Sequence, residues 1–203
     1  MQTLRKSRTR RGGKPNRRAQ IVAVAEKLLR ERGLTGVTTR AIAANVPCSE
    51  GAIYVHFDDR LELILAVLED SLPEMLVPLR ALKERVGRDT PEENLVSALT
   101  GLVRFHERVV TMLCSLIGET ELRDRFRSSL GASGRGPDKG IATLAGYIEA
   151  EKALGRIDVR VSAKIAAQAL MSSSFFHVFT KELLGQNNRF DAKGVVRLVV
   201  GAN

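Results

Sequence analysis

Apolar residues recur in the amino-terminal part of the chain at the three- and four-residue spacing of an amphipathic helix. This spacing predicts a first helix over residues 16–32, a second over 39–45 that Thr38 caps, and a third, capped by Ser49, that ends at residue 55 or 56. Pro47 interrupts the pattern between the second and the third helix, because proline cannot continue a helix comfortably. Two short helices joined by a tight turn, with a preceding helix to pack on, predict a helix-turn-helix at Thr38–Phe57.

Longer helical segments follow beyond residue 58. The first of them, residues 60–71, is expected to bend or to restart near Pro73 and Pro78. The glycine-rich stretch 131–137 is the clearest internal loop. Further helices are predicted over 91–116, 119–129, 138–154, 161–184 and 190–200.

No run with the two-residue period of a strand and flanking turn residues stands out in the sequence. We therefore predict an all-α fold of about nine helices: an amino-terminal three-helix domain followed by a larger helical domain. The expected divisions are a disordered basic arm over 1–15, a helix-turn-helix domain over 16–58 and a helical effector-binding and dimerisation domain over 59–203.

The positive charge is concentrated at one end of the chain. Of the net charge of +9, residues 1–18 supply eight lysines and arginines and no acid. A cationic arm favours a polyanionic partner, although a solvated tail is an equally simple interpretation. Cys48 and Cys114 are too few and too far apart to predict a disulfide framework or a zinc site, so a reduced, cytoplasmic setting is expected. No apolar run is long enough to predict a membrane span.

One segment, residues 17–63, carries a recognisable set of residues at fixed spacing. Besides its apolar faces it contains Gly33, Thr38-Thr39, Ile42-Ala43, Ser49, Gly51, Ile53-Tyr54, Phe57, Arg60 and Leu63. This segment resembles the amino-terminal domain of the TetR family of bacterial transcription regulators. The resemblance implies a homodimer that binds double-stranded operator DNA, regulates transcription, and is released as a repressor by a small-molecule effector.

The resemblance also implies which side chains face DNA. The second and third helices would supply most of them, and Arg60 would take the place of a phosphate-binding lysine. Tyr54 is alternatively a packing residue, and Arg40 and Arg60 are alternatively solvated charges. The predicted DNA-binding residues are Arg17, Thr38, Thr39, Arg40, Ser49, Glu50, Gly51, Ala52, Tyr54, His56 and Arg60.

The sequence departs from the family pattern at the helix that would read bases. Pro47 replaces the usual turn glycine, and Ala52 and Val55 lack polar groups. Glu50 stands where a basic residue is common; an acid there repels phosphate but can accept a hydrogen bond from cytosine. Since residues 19–60 hold five basic and five acidic side chains, we expect the basic arm to supply affinity. Cys48 is expected to be an inert turn residue, a redox thiol being the alternative.

The larger domain has apolar material that could enclose a ligand. The resemblance implies an effector pocket, and its composition suggests an apolar or amphipathic effector; plain core packing is the alternative. The last two predicted helices resemble the family's dimer-forming pair, with the small residues Ala163, Ala166, Ala167 and Ala169, unless the last helix folds onto its own domain. The predicted pocket residues are Phe105, Met112, Leu116, Phe126, Tyr147, Met171 and Phe175.

Two other classes of function were weighed. An effector-independent, architectural DNA-binding protein is the alternative that the basic arm favours. An enzyme is not predicted, because three scattered histidines, no glycine-rich phosphate loop and no ligand cluster provide no catalytic constellation. We accordingly expect no catalytic residue, no metal and no cofactor.

Overall fold

A computed structural model describes residues 16–133, 137–186 and 188–201, and the regular structure in these ranges is helical. The predicted all-α fold of about nine helices is confirmed. The predicted basic arm, residues 1–15, lies outside the described residues. A 3₁₀ turn at Leu34–Gly36 follows the first helix. The helices are α1 Arg17–Arg32, α2 Thr39–Ala43, α3 Glu50–Tyr54, α4 Arg60–Glu84, α5 Pro91–Gly118, α6 Thr120–Ser133, α7 Pro137–Ala153, α8 Ala163–Leu184 and α9 Ala192–Val200.

Two groups of helices share one continuous core. Helices α4, α5, α7 and α8 pack against one another as the main bundle, and α9 lies against α5 and α8. Helices α1 to α3 form the smaller group, in which α1 packs on both α4 and α5. In the described ranges, no helix combines the length and the apolar character needed to cross a membrane.

Helix α4 is one continuous helix, so the restart expected as one alternative near its prolines is wrong, and the bend expected as the other stays a prediction. Pro78 cannot donate the backbone hydrogen bond that the carbonyl of Glu74 would accept. Gly101 of α5 lies against this point: a Cβ atom there would come within 2.4 Å of Pro78 Cγ and 2.7 Å of the Glu74 oxygen. Met75 and Leu79, which flank Pro78 in the sequence, are buried, so packing of α4 in the bundle compensates for the missing bond.

The loop expected over 131–137 is also shorter than predicted. Helix α6 extends through Ser133 and α7 already begins at Pro137, a residue that suits the first turn of a helix because its missing N–H has no helical partner there. Of the three glycines in the sequence GASGRGP, Gly131 is helical, and residues 134–136 lie outside the described residues.

Helix α8 presents an exposed apolar stripe. Ile165, Phe176 and Leu183 are each about two thirds exposed. They lie eleven and seven residues apart, which places them on one face of a helix. Three of the four alanines expected at this interface do not form it: Ala163, Ala166 and Ala167 are buried in the chain's own core, whereas Ala169 is half-buried.

One guanidinium joins the two groups of helices. Arg108 of α5 donates from Nε and Nη2 to the two carboxylate oxygens of Glu26 in α1, at 2.9 and 2.7 Å. It also donates to the carboxylate and the main-chain oxygen of Asp70 in α4, at 2.8 and 3.1 Å. The hydrogen bonds to Glu26 raise the pKa of Arg108 above its ordinary value. Since Glu26 is buried, this contact fixes α1 on the bundle with directional bonds.

A Glu26→Gln substitution should lower the free energy of unfolding by roughly 2–3 kcal/mol, because it leaves Arg108 with a weakened partner in a desolvated site. Urea denaturation at neutral pH measures this change. Glu31→Gln is the matched control: Glu31 lies on the same helix in an exposed pair with Lys27, and its loss should change stability by less than about 0.5 kcal/mol. Equal effects of the two substitutions would contradict the role given to Glu26.

A second buried polar contact lies inside the bundle. His106 Nδ1 is 3.0 Å from the hydroxyl of Ser174, and that hydroxyl donates to the main-chain oxygen of Met171 at 2.8 Å. The rings of Phe105 and Phe175 flank the imidazole at 5.4 and 5.5 Å. Burial in this apolar setting lowers the pKa of His106 from 6.5 to about 4.

The fold should therefore lose stability as the pH falls from about 6.5 to about 4. In this window the unfolded chain binds a proton at His106 and the folded chain does not, so the full contribution is present only above pH 6.5. The loss attributable to this residue is about 3 kcal/mol. Urea denaturation at pH 7.5 and pH 4.5 should show a smaller pH dependence for His106→Gln than for the wild type. An unchanged difference would show that other groups account for it.

Candidate nucleic-acid interface

Helices α2 and α3 are held by a small apolar core on one side. Ile42 of α2, Ile53 of α3 and Phe57 after it are almost fully buried, and they pack with Ile21 and Ala25 of α1. Because the apolar side chains of each short helix are buried in this core, its remaining residues face outward. The helices are too short to be stable alone, so this packing determines their orientation.

Two hydroxyl side chains fix where these helices begin. The Thr38 oxygen accepts a hydrogen bond from the amide of Ala41 at 3.1 Å, and the Ser49 oxygen accepts from the amide of Ala52 at 3.3 Å. Both are the N-cap bonds that the sequence predicts. Each hydroxyl is exposed and keeps its own proton, so it can still donate to a phosphate.

The connection between α2 and α3 is longer than the three residues predicted from the sequence. Helix α2 ends at Ala43 and α3 begins at Glu50. Asn45 shapes the turn, because its side-chain amide donates to the main-chain oxygen of Ala41 at 2.9 Å and satisfies the end of α2. Pro47 follows on the exposed side, where its lack of an N–H leaves nothing unsatisfied.

The structure brings most of the predicted DNA-binding residues to one amino-terminal unit. Tyr54 is 59% exposed, and the other residues on the outer face of α3 do not place a large apolar side chain in the core. Arg17, whose guanidinium donates to Gln20 at 3.0 Å, is half-buried on α1. The exposed residues of the predicted set are Thr38, Arg40, Ser49, Glu50, Gly51 and Tyr54, and the half-buried ones are Arg17, Thr39, Ala52, His56 and Arg60.

A side-chain hydrogen bond connects the starts of α2 and α3. Thr39 Oγ1 donates to Glu50 Oε2 at 2.7 Å. The two residues are eleven positions apart, and each occupies the first position of its helix. The acid at this unusual place therefore has a structural partner, and its carboxylate is held at the outer face of the unit.

Arg60 forms an ion pair and hydrogen bonds within the chain, and the sequence does not predict these contacts. Its guanidinium donates to both carboxylate oxygens of Glu119, each at 3.3 Å, and to the main-chain oxygen of Leu34. Its Nε is buried and has no hydrogen-bond partner in the described ranges. A phosphate contact by Arg60 would thus compete with, or add to, an ion pair that reaches into the larger domain.

The neighbouring residue makes a second link to the larger domain. Asp59 caps α4 by accepting from the amide of Glu62 at 2.9 Å, and it pairs with Arg125 of α6. Arg125 holds the pKa of the Asp59 carboxyl below its ordinary value. Beside these contacts lies a cleft of about 200 Å³, lined partly by Thr38, Tyr54 and Arg60.

The residues predicted to line an effector pocket lie in the core of the bundle. The structure has a surface cleft of about 460 Å³ between the end of α4 and one face of α7, lined by Lys83 and Thr143 among others, and Tyr147 alone of the predicted set reaches it. The Tyr147 hydroxyl accepts from the side-chain amide of Asn94 at 2.9 Å, and burial raises its pKa above the ordinary value. Of the predicted set, Phe105, Met112, Leu116, Phe126, Tyr147 and Met171 are buried and Phe175 is half-buried.

The partners that hold these side chains were not predicted. Glu119 lies 59 residues from Arg60, Arg125 lies 66 residues from Asp59, and Arg108 lies 82 residues from Glu26. Contacts between residues so distant depend on how the helices pack, and no local pattern signals them. In the described ranges, no group of three or more His, Cys, Asp or Glu side chains is placed to hold a metal ion.

Comparison with known proteins agrees with this geometry. Residues 21–67 match the family model described as "Bacterial regulatory proteins, tetR family". The chain is 27% identical over 167 residues to the HTH-type transcriptional repressor BepR of Brucella suis, an alignment that covers 76% of this chain and 75% of that protein.

Two solved structures share the fold across most of the chain. The TetR-family transcriptional regulator PfmR of Thermus thermophilus superposes with a TM-score of 0.60 at 21% identity, over 88% of this chain and 93% of that one. The transcriptional regulator FadR of Bacillus subtilis, solved in complex with stearoyl-CoA, gives a TM-score of 0.60 at 18% identity, over 90% and 97%. The matched family model, the similarity to a repressor and this shared fold together indicate the TetR family of bacterial regulatory proteins.

Proposed function

We propose that this chain, a DNA-binding transcriptional regulator by its family, acts as a homodimeric repressor that a small apolar or amphipathic molecule releases from its operator. The observation that carries the proposal is the outer face of α2 and α3. There Arg40, Ser49, Glu50 and Tyr54 are exposed, while Ile53 anchors the same helix in the core. A short helix held in this way is able to enter the major groove with its polar face forward.

The exposed stripe on α8 supports dimerisation. Ile165, Phe176 and Leu183 form an apolar face on a helix whose other side is already packed, and Leu198 of the adjacent α9 is 86% exposed. A second copy of the chain would cover this face, because α8 and α9 of each copy can meet across a two-fold axis. We call the DNA-binding unit formed by helices α1 to α3 the reader. Two readers related by one two-fold axis would bind two half-sites, which compensates for the small contact area of one reader.

The contacts of α4 support a route from effector to DNA. Arg60 and Asp59 at its start are bound to α5 and α6, and Lys83 near its end lines the larger cleft. A ligand that prefers one arrangement of α4 would change the position of the readers, provided that its affinity differs between the two arrangements. The amphipathic ligand in the Bacillus subtilis relative is consistent with an effector of that class, as are the apolar side chains of the bundle.

Selection of bound fragments from a random duplex pool tests the proposal. A homodimeric repressor should enrich a palindrome with half-sites about one helical turn apart. Binding that depends on duplex length and ignores sequence would instead support the architectural alternative, for which the basic amino terminus is the argument.

Arg60 should contribute one phosphate contact to operator binding. Arg60→Gln should lower the slope of log affinity against log salt by about 1, and Glu119→Gln should raise affinity several-fold because it removes the carboxylate that competes for the guanidinium. Fluorescence anisotropy over a salt series measures both. Glu121→Gln is the matched control, since it removes an exposed acid from the adjacent α6. A salt slope unaffected by Arg60→Gln would exclude the phosphate contact.

Phe176→Glu should produce a monomer, because it places a charge in the centre of the proposed dimer face. Operator affinity should then fall by at least about tenfold, since one reader is lost from each binding event. Sedimentation velocity and anisotropy measure the two effects. Val159→Glu is the control: Val159 is 75% exposed but lies outside α8 and α9, so it should leave a dimer. A dimeric Phe176→Glu protein would refute this face as the interface.

A further inference from the structure

We propose that Glu50, held in place by Thr39, selects cytosine in the operator by accepting a hydrogen bond from its exposed amino group. The inference rests on the proposed function and names what its reader recognises. It concerns an exposed acid at the first position of α3, the helix proposed to face DNA, where charge alone predicts repulsion from DNA.

The hydrogen bond between the two helices orients this carboxylate. Thr39 Oγ1 donates a hydrogen bond to Oε2 of Glu50 at 2.7 Å, and Oε1 has no hydrogen-bond partner in the described part of the chain. A free glutamate side chain loses rotational freedom when it binds, whereas this one is already restricted before DNA arrives. One oxygen is therefore held by the protein, and the other is available on the outer face.

The chemistry of the base edges decides the partner. A carboxylate only accepts hydrogen bonds, so it needs a donor. In the major groove guanine presents the acceptors O6 and N7, and thymine presents the acceptor O4 and a methyl group. Adenine offers its N6 amino group, but the acceptor N7 lies beside it and repels the second oxygen. Cytosine offers its N4 amino group without such an acceptor on the same base, so a carboxylate favours cytosine.

The net charge of the reader determines how strongly the contact of Glu50 affects sequence selectivity. Residues 19–60 carry no net charge, so the unit gains little from phosphates in general. A carboxylate near the groove weakens binding to every sequence in which it has no donor. Glu50 is therefore expected to reduce binding to wrong sequences more than it strengthens binding to the right one. Arg40, exposed and without an ion-pair partner in the described ranges, provides a cation on the same outer face.

Selection from a random duplex pool with the full chain and its variants tests the inference. The wild type should enrich a palindrome with cytosine at one position of each half-site. Glu50→Gln should replace cytosine by adenine there, because an amide can pair with both N6 and N7 of adenine. Glu50→Ala should abolish the preference at that position alone and raise affinity for random duplex. Glu31→Gln, which removes an exposed acid from α1, should change neither result.

Thr39 is a positioning residue for this contact. Thr39→Val removes the hydroxyl that binds Glu50 and should reduce the cytosine discrimination about tenfold, whereas Thr39→Ser keeps the hydroxyl and should retain it. Competition anisotropy with operators that differ at that one base pair measures the ratio. A general loss of structure would weaken binding to both operators equally and would leave the ratio unchanged.

The outcomes separate the two proposals. If the wild type enriches no palindrome, the proposed repressor function fails and the inference fails with it. If a palindrome is enriched but Glu50→Ala preserves every base preference, the repressor function stands and only the inference is overturned. An unchanged cytosine ratio in Thr39→Val would overturn the positioning role of Thr39.

Discussion

The position of the DNA reader depends on the guanidinium of Arg108. It projects from α5 and forms directional bonds to one helix of the reader, α1, and to one other helix of the bundle, α4. Apolar packing between α1 and the bundle supplies more free energy, but it permits small rotations that planar, bidentate bonds do not. In the proposed dimer two readers would have to match the groove spacing of DNA, so this restriction would bear directly on which operators can be bound.

The second feature of the reader is that four charged side chains in or next to it have partners within the chain. Glu26 is bound by Arg108, Asp59 by Arg125, Arg60 by Glu119 and Glu50 by Thr39. Most of these partners belong to the larger domain, so the electrostatic character of the DNA-facing unit is set partly outside it. A change in the bundle can therefore alter the electrostatic potential of the DNA-facing surface without any movement of α3.

Local sequence patterns predicted the helices of the reader, but they did not predict the contacts that hold the reader on the bundle. Apolar spacing and the hydroxyl caps at Thr38 and Ser49 predicted the helices because both signals act within one turn of the chain. The same reasoning did not show whether α4 continues past Pro78, where a residue of another helix, Gly101, packs against it. It also did not predict the partners of Arg60 and Glu50, because those contacts depend on the tertiary structure. Three of the four alanines predicted for an interface on α8 lie in the core, because small residues suit either environment.

The contact between Pro78 and Gly101 has a consequence for how this sequence can change. The proline ring occupies part of the space that any side chain at position 101 would need, and the main-chain oxygen of Glu74 occupies the rest, 2.7 Å from a Cβ atom there. Replacing Pro78 alone would therefore not make room for a larger residue, because the oxygen of Glu74 belongs to the helix itself. Position 101 is expected to stay glycine in related sequences in which α4 and α5 pack this closely, whatever residue stands at 78.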